Sequence, residues 1–357
     1  MAGNISILTE RRRTILKVVV QEYIRTAQPV SSGRIEALSG LGVSSATIRN
    51  ELVTLEEMGY LAQPHTSGGR VPTDRGYRYY VEGLMDEPAV PVDEQRMIAH
   101  QFHQVQMDLT EWLRLSAAIL AQQVQNAALI TAPRMAESRV KHLELISIQD
   151  SVALLVLVLQ GGLVQQQMMA RSIPSTQDVL TRAAASLNRR IEGRTAAGVD
   201  QMAQSMQSGL ERSATEAVAH LMRVYDDQDV PAVYYDGLAN ILGQAEFSVS
   251  SQARNQERQQ VAQGMIQMLE MLQQGLLLRR LLPHVLSGRG VQVFIGGEGV
   301  SEDMGQFSVI ASRYGDEGGG MGLIGVFGPT RMHYGRAVAV VRYMTDLLSD
   351  LAGELHG

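Results

Sequence analysis

Residues 43–73 read VSSATIRNELVTLEEMGYLAQPHTSGGRVPT, and this stretch restricts the fold more than any other part of the chain. A helix is predicted from Ser45 to about Met58, stopping at Gly59, the residue type favoured just past a helix end. At roughly 100° per residue, Ile48, Leu52 and Leu55 share one face and call for burial. Ala46, Asn50 and Val53 lie opposite, with Thr47 and Arg49 on the flanks. The polar front therefore offers Ser45, Thr47, Arg49 and Asn50, and the small Ala46 permits close approach.

The preceding residues fit the same unit. Thr9 is a suitable N-cap for a helix from Glu10 to about Thr26, with Leu16, Val19, Val20, Tyr23 and Ile24 on its apolar stripe. Pro29 breaks that helix, and Ser31 or Ser32 caps a short one reaching about Leu38. The tetrapeptide SGLG then turns the chain, Gly40 and Gly42 being free to take positive φ. Two short helices joined by a glycine turn form the helix-turn-helix pattern. After Gly59, YLAQPH, TSGG and RVPT read as strand, turn and strand, with Gly68 and Gly69 at the tip and Arg70 just beyond. A hairpin directly after a recognition helix is the wing of a winged helix. An arginine there suits a phosphate or a narrow minor groove. The residues expected at DNA are Ser44, Ser45, Thr47, Arg49 and Asn50 from the helix, and Thr66, Ser67, Gly68 and Arg70 from the wing.

Charge distribution agrees with that placement. The chain carries a formal charge of −6, but residues 1–85 hold ten Arg and Lys against eight Asp and Glu. A mildly basic head on an acidic body permits contact with a polyanion through the head. At 357 residues, 45% of them hydrophobic, the chain has enough apolar material for two or three domains. The absence of cysteine excludes a disulfide framework, thiolate zinc sites and a cysteine nucleophile, and suits a reducing cytosol. With no run near the ~18 to 20 apolar residues of a membrane span, a soluble cytoplasmic protein is expected.

Catalytic and cofactor patterns fail on inspection. In VQVFIGGEGVSEDMG, Gly297 and Gly299 are followed by Glu302 where a dinucleotide fingerprint needs its third glycine. GDEGGGMG lacks the Gly-Lys-Ser/Thr of a phosphate loop, and the only lysines, Lys17 and Lys141, follow no glycine-rich turn. His100 and His103 sit three apart on a helix without nearby carboxylates. Neither an enzyme, a cofactor nor a metal is expected.

Three segments, LTERRRTILKVVVQEYIRTAQPVSS, VSSATIRNELVTLEEMGYL and HTSGGRVPTDRGYRYYV, resemble the N-terminal domain of the HrcA family of heat-inducible transcription repressors. FIGGEG and GLIGVFGPTRMHYGRAVAVV near the other end resemble the same family, so the likeness covers essentially the whole chain. One departure is Gly299, where the family usually has asparagine after the glutamate. The resemblance implies a homodimer that binds an inverted-repeat operator, the CIRCE element, before groE and dnaK operons. It also implies that the GroEL chaperonin maintains the active form, which is lost on heat stress.

Beyond residue 85 the expected class is α+β. Pro88 to Pro91 reads as a linker, followed by helical stripes up to about Gln125. A meander is predicted at 140–147, 152–160 and 162–169, and helices from Ser175 to about Asp227, broken at Gly193 and Gly198. Strands return at 291–295, 307–314 and 323–327, before a closing helix from about Tyr334 to Leu351. Strands at both ends imply one α+β domain carrying an insertion. The resemblance makes this a GAF-like domain of residues 86–172 and 255–357, with an inserted dimerising domain at 173–254. In the helix expected at 257–282, Val261, Met265, Leu269, Leu272 and Leu276 line one side, suiting either core packing or an oligomer interface. A small effector bound in the GAF-like domain is the alternative means of control.

Overall fold

A computed structural model of the chain describes residues 8–64, 68–105, 108–134, 137–149, 151–160, 162–170, 175–226, 232–244, 266, 276–296, 305–316 and 320–356. The chain divides into two compact units. One comprises Met1–Ile130, Tyr234–Arg313 and Ile324–Thr345, and the other Thr131–Val233, Tyr314–Leu323 and Asp346–Gly357.

The first unit opens with α1 (Glu10–Thr26), whose stripe of Ile15, Leu16, Val19, Val20 and Ile24 is buried. The Thr9 hydroxyl accepts from the Arg12 amide at 3.4 Å, and Ala27 closes the helix in the left-handed region at φ 55°. Ser31 caps α2 (Ser32–Ser39) in the same way. Gly40 and Gly42 then turn the chain at φ 63° and 62°, where a side chain is strained. Next come α3 (Ser45–Glu57), β1 (Leu61–Ala62) and β2 (Val71–Pro72), the strands antiparallel with Leu61 opposite Pro72. Thr73 caps α4 (Asp74–Gly83), and α5 (Val92–Gln104) and α6 (Leu109–Val124) lead into β3 (Ala127–Thr131).

The second unit holds β4 (Val140–Gln149), β5 (Val152–Leu159) and β6 (Val164–Ala170), a meander in that order. It also holds α7 (Gln177–Ile191), α8 (Ala196–Ser205) and α9 (Leu210–Asp226). Alternation along β5 buries Ala153, Leu155, Leu157 and Leu159 in one cluster with Leu180, Leu187, Val218 and Met222 of the helices. Two side-chain amides of α7 stand in for a further strand beside β4. Asn188 accepts from the Leu143 amide at 2.8 Å and donates to the Leu143 carbonyl at 2.9 Å. Gln177 does the same between Ser147 and Leu145.

After β7 (Val233–Asp236) and α10 (Leu238–Leu242), the described chain resumes at α11 (Leu276–Ser287) and β8 (Gln292–Ile295). It finishes with β9 (Phe307–Asp316), β10 (Gly320–Pro329) and α12 (Tyr334–His356). A five-stranded sheet runs in the order β7-β3-β10-β9-β8.

The class is mixed α and β, as expected. The predicted meander forms its own three-stranded sheet, packed with α7–α9. The strand that does join the larger sheet after α6 is β3, buried at all five positions. A continuous apolar run has no alternation to mark it as a strand. The helical break expected at Gly198 lies instead at 206–209, because Gly198 sits in the first turn of α8 with its amide on the Thr195 hydroxyl. Val261, Met265, Leu269 and Leu272 of the expected 257–282 stripe, and Gly299, lie outside the described residues, as does the side chain of Leu276. Among the described residues no helix is long and apolar enough to cross a membrane.

Candidate nucleic-acid interface

The platform for α3 is hydrophobic. Ile48, Leu52 and Leu55 are buried, and α3 packs against both α1 and α2. Each such side chain stabilises the fold by roughly 1.5–3 kcal/mol. Polar side chains of α3 then divide into two groups by what they touch.

The first group holds the helix in place. Ser45, expected on the open face, is half-buried and donates to the Ser32 hydroxyl at 2.9 Å, tying α3 to α2. Glu51 accepts from Arg12 at 2.7 Å and Arg11 at 3.4 Å, tying α3 to α1. Glu56 pairs with Arg70 at 2.8 Å, tying it to the hairpin.

The second group faces solvent. Ser44 is exposed and caps the helix, accepting from the Thr47 amide, and its hydroxyl lies 3.2 Å from the half-buried Thr47 hydroxyl. Arg49 and Asn50 are exposed, and Val53, 40% exposed, continues the same face one turn on. Arg49 differs from every other cation of residues 1–85. Arg11, Arg12, Arg13, Lys17, Arg25, Arg34, Arg70 and Arg78 all reach carboxylates, and Arg75 lies over the Tyr60 ring at 4.7 Å. Among the described residues of 1–85, only the Arg49 guanidinium meets neither a carboxylate nor a ring.

The hairpin departs from expectation. Arg70 does not stand beyond a free tip. Its side chain is 12% exposed and held by Glu56, while its amide and carbonyl pair with Val30 at 2.9 Å each way. Val30 thus lies beside β2 as a bridge from the segment between α1 and α2. Gly69 is glycine for the same reason, since a Cβ there would come within 2.4 Å of the Val30 carbonyl. Close approach of two backbones, rather than turn geometry, fixes that residue type. Gly68 is half-buried in a bend, and Thr66 and Ser67 lie outside the described residues.

Sequence reasoning missed the carboxylates that decide which cations are open. Glu22, between Arg25 and Arg34 at 2.7 and 2.8 Å, is one example. Hydrogen bonds from Arg25 and then Arg34 hold its carboxyl down at about 2, against an ordinary 4.5. The Glu22–Arg25 spacing is legible along a helix, whereas Arg34 arrives from the next one.

Comparison with known proteins places this geometry in context. Residues 110–338 match the family described as HrcA protein C terminal domain. The Heat-inducible transcription repressor HrcA of Roseiflexus sp. (strain RS-1) is 44% identical over 359 residues, covering 98% of this chain and 96% of its own. That of Herpetosiphon aurantiacus is 43% identical over 356 residues, covering 98% and 97%. Among solved structures, one described as the crystal structure of a hypothetical protein aligns over 97% of this chain and 98% of its own. Its TM-score is 0.58 at 24% identity, a likeness of fold alone.

Proposed function

The chain belongs to the HrcA family of heat-inducible transcription repressors, and from that premise we propose that residues 1–85 are a winged helix-turn-helix reading an inverted-repeat operator. One observation carries the reading. The open face of α3 keeps Arg49 and Asn50 unengaged while neighbouring cations are neutralised at close range. Arginine binds guanine edges bidentately and asparagine binds adenine, and the exposed Val53 suits a thymine methyl. Ser44 and Thr47 at the helix N-terminus suit phosphate, where amides and hydroxyls set the register.

An operator with two-fold symmetry calls for two such helices related by an axis, hence a homodimer. We place its contacts in the segment resembling the family's inserted dimerising domain, residues 173–254, and read the five-stranded sheet as GAF-like. Resemblance likewise supports CIRCE as the operator and GroEL as the partner that keeps the repressor active until heat diverts it. Eighteen methionines fit a body that tolerates loose packing and aggregates on warming.

Footprinting on the promoter of a chaperone operon, with wild type and Arg49→Ala compared, tests the reading. Protection of an inverted repeat by wild type and its loss in the variant are expected. Protection unchanged in a folded Arg49→Ala protein would remove Arg49 from the interface. Adding GroEL, its co-chaperonin and ATP should raise the fraction of purified protein competent to bind. Full binding without them, and no response to them, argues for a small effector instead.

A further inference from the structure

We propose that the segment GPTRMHY, residues 328–334, and helix α4 form a clamp that fixes the DNA-reading helices to the five-stranded sheet. Arg331 and Arg78 are its positioning residues. The inference rests on the reading above, and adds what sets the angle at which α3 meets an operator.

Three contacts build the clamp, all inside the first compact unit. Arg331 donates through Nη1 to the carbonyl of Ile24, 307 positions earlier in the chain. That carbonyl lies in the last turn of α1, where intrahelical donors run out and a cation is favoured. Arg78 of α4 donates to the Val293 carbonyl in β8 at 2.8 Å. Between them the buried rings of Tyr77 and Tyr334 lie 5.8 Å apart, tilted by 48°. The Tyr334 hydroxyl donates to the Thr330 carbonyl at 2.6 Å and lies 3.0 Å from the Ser308 hydroxyl of β9, so this ring is fixed from the sheet side.

Two glycines allow the approach. A Cβ on Gly296, at φ 52°, would come within 2.2 Å of the Asp74 carboxylate in the first turn of α4. A Cβ on Gly335 would come equally close to the Asp86 carbonyl just past that helix. The chain after β8 thus lies against the Asp74 side chain at one end of α4, and the backbone of α12 against that of Asp86 beyond the other, which a loosely tethered head would not need.

An inverted repeat offers two half-sites at one spacing and rotation. A head clamped to the body presents its helix preorganised for that spacing. A head on a loose tether searches for the second half-site at a lower effective concentration. Arg331 and Arg78 touch no DNA in this scheme and act through the placement of α1 and α4.

The test uses the full-length protein and three synthetic duplexes: the inverted repeat, the same repeat with four base pairs added between half-sites, and a single half-site. Wild type should bind the native spacing best. Arg331→Ala should lose about tenfold on native spacing and little on the single half-site, so its penalty for wrong spacing shrinks. Arg331→Lys, which keeps a cation on the Ile24 carbonyl, should recover most of the loss. Arg78→Ala, which removes one side chain from a backbone carbonyl, should repeat the effect even if Arg331→Ala fails to fold. Independently of DNA, hydrogen exchange should quicken in α4 and the last turn of α1 in either variant. A spacing penalty as large as wild type's, or tighter binding to native spacing, overturns the clamp, as does unchanged exchange. If wild type does not prefer the inverted repeat to random DNA, the repressor reading fails, and exchange alone then decides the clamp.

Discussion

The open face of α3 and the hairpin behind it each carry one arginine of similar promise, and the fold gives them opposite fates. Arg49 projects from the helix without a partner among the described residues, while Arg70 is folded onto Glu56 and pinned by its backbone to Val30. Residue type and local pattern do not distinguish them. What distinguishes them is whether a carboxylate from elsewhere in the fold arrives within reach. An arginine beside a glycine-rich turn is thus weaker evidence of DNA contact than one on the solvent flank of a well-seated helix.

The strongest way to break this comparison is to remove the platform both regions share. Ile48→Ala deletes a fully buried side chain beneath α3 and should cost about 2–5 kcal/mol of stability, measured by urea denaturation. Binding should be lost wherever the head unfolds, and stability unchanged by the substitution contradicts the shared core.

Arg49→Ala sharpens the comparison from the other side. Stability should stay within about 0.5 kcal/mol, as for an exposed position free of special contacts. Operator affinity should fall by about 1–3 kcal/mol if the arginine reads a base. If it holds a phosphate, binding to random DNA should fall alike and the salt slope should drop by about one unit. Arg70→Ala should behave in the reverse manner. It leaves Glu56 unpaired and frees the hairpin, costing about 1 kcal/mol of stability. Its effect on binding should be the same for operators with A·T-rich or G·C-rich flanks, read by fluorescence anisotropy. A flank-dependent loss would return Arg70 to the minor groove.

Much of the head was legible because its determinants are local. Thr9 and Ser31 as caps, Gly40, Gly42 and Gly59 at positive φ, and the Ile48–Leu52–Leu55 stripe all follow from neighbours within a few positions. Ser45 was misread as open because its partner, Ser32, belongs to another helix. The larger sheet was less legible. Its strand β3 is buried throughout and carries no alternation, and β7 is only four residues long. The meander was legible strand by strand, but alternation in β5 shows that one face is buried and not what buries it. Asn188 and Gln177, which bond α7 to β4, are ordinary helix-surface residues in sequence.

The smallest expected effect lies at Glu22, where the same rule operates with the sign of charge reversed. Arg25 and Arg34 both donate to this carboxylate, which keeps them from acting as open cations and draws its pKa down from 4.5 to about 2. A carboxyl held lower in the folded chain than in the unfolded one stabilises the fold above about pH 4.5. That contribution declines as pH falls and is gone once pH passes about 2, where both states are protonated. Because both arginines remain largely in solvent, the contribution is screened and should shrink with added salt. Glu22→Gln should therefore lower stability slightly at neutral pH and low salt, and match wild type near pH 2. It should also release two cations next to α2, raising affinity for random DNA while leaving discrimination by Arg49 unchanged. A Glu22 carboxyl that titrates near 4.5 by NMR would mean that the pairing is not kept in solution. Arg25 and Arg34 would then count with Arg49 among the cations open to DNA.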